Sequence, residues 1–116
     1  MGPMQVGEQV WRVLEPPRPL SDAERALVEY LAPGQTSGVV VSGECRCGCP
    51  SVRLATVLFS GSHSQVTALG AQPDGGLLEV VLHRMDGVMT ELEVFAGEGV
   101  AIPLPSPGEL STPQPA

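Results

Sequence analysis

Cys45, Cys47 and Cys49 are the only cysteines in the chain, packed into Gly43-Glu44-Cys45-Arg46-Cys47-Gly48-Cys49-Pro50-Ser51. On extended backbone the three sulfurs share one face with neighbours roughly 6–7 Å apart, and a bend at Gly48 and Pro50 would bring them together. Thiolates with imidazole are zinc ligands: a closed structural site takes four, and a catalytic site takes three plus water. Cys45, Cys47 and Cys49 supply three, and His63 or His83 would be the fourth. Against this, zinc knuckles typically leave two to four residues between paired cysteines, and here only one intervenes. No Cys-x-x-Cys redox pair is present. Arg46 would lower a neighbouring thiol pKa while Glu44 pulls the other way. The simpler reading makes the cysteines small apolar fillers of a tight turn between two buried strands. It calls for no cofactor, and zinc is the alternative.

Two other groupings have the residue types for chemistry. Ser62-His63-Ser64 sets hydroxyls beside an imidazole, but adjacent residues rarely share triad geometry and no Gly-x-Ser-x-Gly elbow surrounds either serine. A flexible loop accounts for it. Glu91 and Glu93 fall on one strand face about 7 Å apart, a spacing that suits paired carboxylates and equally a solvated acidic face. His83 reads as an ordinary core or edge histidine. No phosphate loop or dinucleotide fingerprint appears, so no catalytic residue is assigned.

The 116 residues give room for one domain. Aromatic residues make up only 3%, so Val and Leu must build the core. Acidic residues outnumber basic ones 13 to 6, for a net charge of −7, and every basic residue is Arg. That balance argues against nucleic acid and against an anionic membrane surface, and favours a basic protein partner. No apolar run approaches the roughly 20 residues of a membrane span, and the start lacks a signal-like apolar stretch. A cytoplasmic location is the expectation. Oligomeric state is not legible.

Several elements must position these groups. Residues 1–19 read as a proline-rich arm, with Val10 to Leu14 a short strand or docking segment before Pro16, Pro17 and Pro19. Trp11 there either packs on the domain or anchors a partner. Ser21 and Glu24 form a capping box opening an amphipathic helix, with Ala23, Leu27, Tyr30 and Leu31 on its apolar face and Pro33-Gly34 as its stop. Strands follow over Val39 to Val41, Ser51 to Phe59 and, more weakly, Val66 to Ala71, with a loop at 60–64. Asp86-Gly87 signals a type I′ hairpin between Leu77–Met85 and Val88–Phe95. Pairing outward from it sets His83 opposite Thr90, Val81 opposite Leu92, Leu82 opposite Glu91 and Val80 opposite Glu93. On that register the face carrying Met85, His83 and Val81 meets the helix. Val100 to Leu104 adds a short edge segment, and residues 106–116 read as a disordered tail.

Three segments, Arg18-Pro19-Leu20-Ser21-Asp22-Ala23-Glu24, Cys47-Gly48-Cys49-Pro50-Ser51-Val52 and Met85-Asp86-Gly87 with Glu91-Leu92-Glu93-Val94-Phe95, resemble a family of small bacterial proteins of unknown function. The resemblance covers roughly residues 18–110, implies a folded unit and lends no activity. The expectation is an α+β domain over 20–105, one helix on an antiparallel sheet of four or five strands. The expected function is a non-enzymatic binding or accessory protein. The alternative is a metal- or thiol-dependent protein using Cys45, Cys47 and Cys49.

Overall fold

In the computed structural model, residues 11–46, 49–54, 62–72, 74–97 and 102–115 are described. The helix α1, Asp22–Leu31, starts where its cap demands. The Ser21 hydroxyl accepts from the Glu24 N–H at 3.1 Å, and the Glu24 carboxylate accepts from the Ser21 N–H at 2.8 Å. Leu27, Val28 and Leu31 are its buried face, while Ala23 turns to solvent.

The strands are β1 (Trp11–Pro19), β2 (Val40–Cys45), β3 (Val52–Arg53), β4 (His63–Ala71), β5 (Leu77–Met85), β6 (Val88–Phe95) and β7 (Gln114–Pro115). They form one antiparallel sheet in the order β1-β2-β3-β6-β5-β4-β7, with α1 the only α-helix among the described residues. The architecture is α+β, and seven strands correct the expected four or five. No helix among the described residues is long and apolar enough to cross a membrane.

The extra strands come from the two ends: β1 covers Trp11 to Leu14, expected as a short strand or docking segment, and runs on through the prolines, and β7 lies in the segment expected to be disordered. Trp11–Pro19 pairs with β2 on an edge, and its register breaks between Val13 and Arg18, the stretch holding Pro16 and Pro17. Proline lacks the ladder donor, so an irregular edge strand is where a sheet tolerates it. At the other edge β7 pairs with Thr67 and Val66 of β4. The tail reaches it because Ser111 exchanges bonds with Leu69, its N–H donating to the Leu69 carbonyl at 2.7 Å and its Oγ accepting from the Leu69 N–H at 2.9 Å. The Tyr30 hydroxyl donates to the Ser111 carbonyl. Gly70 permits the approach, since a Cβ there would lie 3.0 Å from Leu110 Cδ2 and 3.1 Å from the Glu109 carbonyl. Local backbone anchoring overrides the polar composition.

The loop expected at 60–64 also changes, because His63 and Ser64 open β4. Of the run Ser51 to Phe59, Val52–Arg53 forms β3 and residues 55–59 lie outside the described residues, as do Val10, Gly48 and 98–101.

Asp86 and Gly87 both take positive φ, 50° and 82°, as a type I′ turn requires. Met85 pairs with Val88 and Arg84 with Met89 as expected. Then a β-bulge intervenes: His83 pairs with Glu91, so Thr90 is an extra residue on β6, and beyond it Leu82 meets Leu92, Val81 meets Glu93 and Val80 meets Val94. This overturns the plain hairpin register and reverses its faces. Leu78, Val80 and Leu82 join Leu92 and Val94 in the core with Leu27, Val28 and Leu31 of α1. The Thr90 carbonyl accepts from the Leu54 N–H at 2.9 Å, so the bulge stays hydrogen-bonded. Cross-strand amide and Hα NOEs should connect Leu82 with Leu92. Connectivities between Leu82 and Glu91 in their place would return the plain register.

Candidate functional site

The bulge decides what stands on the face turned away from α1. Directly opposed residues share a face, and one register row runs Val13, Gly43, Arg53, Glu91, His83 and Gln65 across β1, β2, β3, β6, β5 and β4. The adjacent row on the same face holds Thr67, Val81 and Glu93. His83, Glu91 and Glu93, read separately from the sequence, therefore meet. One ligand atom from each lies within 4.8 Å of the others, the one such group of three or more among the described residues.

His83 sits at the centre. Its Nε2 lies 2.8 Å from Glu93 Oε1 and its Nδ1 lies 2.9 Å from His63 Nε2. The two imidazoles stack with ring centres 5.1 Å apart. The bond to Glu93 is the largest influence on His83 and raises its pKa above the ordinary histidine value, against burial and with help from Glu91, Glu93 and Glu79. The same bond holds Glu93 below the usual carboxylate range despite its burial. Glu91 moves the other way: burial raises its carboxyl, His83 partly offsets this, and Glu93 adds to the rise. The Glu91 carboxylate takes no hydrogen bond and no ion pair among the described residues, although Arg53 stands opposite it on β3. The Arg53 Nε donates to Ser42 Oγ.

The arrangement can move a proton along His63, His83 and Glu93, or offer one nitrogen and two carboxylates to a cation. Neither Ser62 nor Ser64 hydrogen-bonds His63, and Ser64 pairs with Arg84 on the opposite face, so no serine–histidine dyad forms. A period-2 reading finds the Glu91/Glu93 pair, but the sequence signal that would have joined it to His83 is the phase change in β6. Apolar positions run in step with Met89, then with Leu92 and Val94.

The cysteine segment lies elsewhere. Cys45 ends β2, and β2 is three strand spacings from β5, roughly 14 Å. Neither His63 nor His83 joins Cys45 and Cys49 in a ligand group among the described residues, and Cys47 lies outside them. Cys45 and Cys49 are half-buried and line a cavity of about 300 Å³ with Arg12, Arg18, Glu24 and Glu44. An ion network crosses that cavity. Arg18 gives a two-pronged pair to Glu24, both contacts at 2.9 Å, and its Nε reaches Glu44 at 3.1 Å, while Arg12 also pairs with Glu44.

Comparison with protein-family models, with curated proteins and with solved structures finds no match to this chain.

Proposed function

We propose that this chain is a non-enzymatic binding domain that takes a protein partner on the sheet face opposite α1. One observation carries the reading. The exposed large apolar residues, Val13, Leu69, Leu77, Val88 and Phe95, all fall on that face by register. Phe95 and Leu69 flank Glu79 in one row, 48% and 44% exposed, and Leu77 follows on β5 at 64%. Apolar groups rimmed by charge mark interaction surfaces rather than scattered exposure. With Glu79, Glu91 and Glu93 between them and a net charge of −7, the fitting partner presents an apolar patch bordered by Arg or Lys.

The test compares proteins captured by the wild-type chain, by Leu77→Glu/Phe95→Glu and by Ala26→Glu on the exposed side of α1. A partner held by wild type and Ala26→Glu but lost by the double variant, with unchanged circular dichroism, supports the reading. Identical capture by all three sinks it.

The alternative is a thiol- or metal-dependent role for Cys45, Cys47 and Cys49, favoured by the cavity that Cys45 and Cys49 share with Arg12 and Arg18. Replacing all three with Ser separates the two. A packing role costs about 1–3 kcal/mol and leaves partner capture intact. A functional role abolishes it.

A further inference from the structure

We propose that His83, Glu91 and Glu93 form a binding site for a first-row divalent transition cation, with Zn²⁺ as the representative ion. The three ligand atoms lie within 4.8 Å of one another, so a point exists within about 2.8 Å of all three, and bonds of roughly 2.0–2.2 Å need only small side-chain rotations. The donor set is one imidazole nitrogen and two carboxylates. Two carboxylates neutralise a divalent charge, and the imidazole favours zinc-like ions over Mg²⁺ or Ca²⁺, which prefer oxygen alone. Three protein ligands leave one tetrahedral position for water or for a group from a partner.

Two features beyond proximity point to a cation. The first concerns the second nitrogen of His83. A metal-binding histidine is normally fixed by a hydrogen bond from its other ring nitrogen. Here Nε2 faces Glu93 while Nδ1 is held by His63 Nε2 at 2.9 Å, from a neighbouring strand. A cation at Nε2 replaces the proton that His83 donates to Glu93, and the Nδ1–H of the bound form donates to His63 Nε2, which makes His63 a positioning residue. The second is Glu91, half-buried, whose carboxylate lacks any hydrogen bond or ion pair among the described residues. Partial burial already disfavours the charged Glu91 carboxylate, and a cation beside it offsets that cost. The site depends on the bulge at Thr90, which puts Glu91 opposite His83.

The experiment uses the full chain without a histidine tag, titrated with Zn²⁺ by calorimetry and equilibrium dialysis. One ion per chain with micromolar affinity is expected. Glu91→Gln and Glu93→Gln should each weaken it at least about tenfold, and His63→Ala by about 10- to 100-fold through His83 orientation. Replacing Cys45, Cys47 and Cys49 together with Ser should leave the affinity unchanged. A readout that needs no variant is the ¹⁵N spectrum of the imidazoles. On adding Zn²⁺, His83 Nε2 should lose its proton and shift as a ligand, with Nδ1 protonated in the bound form. The site is overturned if Zn²⁺ binds only at millimolar concentration, if both Gln variants bind as wild type does, or if the cysteine replacement abolishes binding.

Discussion

Replacing Arg18 with Ala should lower the free energy of unfolding by about 3 kcal/mol, read as a shift in the urea midpoint. Glu24 is 4% exposed, and both its oxygens are held by Arg18. Removing one partner of a buried pair strands the other charge, at about 3–5 kcal/mol. Arg18 itself keeps about a third of its side chain in water, which places this pair at the lower end. Arg12→Ala is the control: its pair with Glu44 is mostly exposed, so it should cost less than about 1 kcal/mol.

The same pair sets an acid dependence. Burial is the largest influence and would raise the Glu24 carboxyl, but the hydrogen bonds and charge of Arg18 and the two bonds with Ser21 together outweigh it and hold the group below its ordinary value of 4.5. A carboxyl lowered on folding contributes stability above its unfolded pKa and loses it as pH falls through the folded value. The gap between wild type and Arg18→Ala should therefore be full at neutral pH and close progressively below about pH 4.5. A gap that stays constant on acidification would mean that the lost stability comes from packing of the Arg18 stem.

Leu92→Ala should be comparably damaging, about 3 kcal/mol within the 2–5 range of buried leucine truncations. Leu92 is fully buried and is paired with Leu82 on β5 and with Val52 on β3. Truncation opens a cavity between three strands that the backbone ladder keeps apart. Val88→Ala, on the same strand but 39% exposed, should change stability by no more than about 0.5 kcal/mol. Equal effects from the two would place Leu92 on the outer face and remove the bulge from the hairpin. For a domain of this size a loss of about 3 kcal/mol is a large share of the total.

Much of the fold could be read from local chemistry. Ser21 and Glu24 announce the start of α1, and Asp86-Gly87 announces the last hairpin, because cap and turn depend on a few adjacent residues. Composition misleads at the two ends. The prolines of β1 and the polar tail argue for disorder, yet both pair as edge strands through contacts with residues far along the chain, among them Ser111 with Leu69. The candidate site was visible only in pieces, as Glu91 and Glu93 on one face and His83 without a role.

The sequence by itself determined the helix, the turn, the acidic balance and a strand-rich aliphatic core. Tertiary structure alone decided the phase of β6. One extra residue at Thr90 costs little locally, but it lets Leu82 face Leu92 and Val80 face Val94 against α1. That non-local burial fixes the register. With Leu92 turned inward, Glu91 and Glu93 turn outward beside His83, so the candidate site follows from the packing of the core behind it.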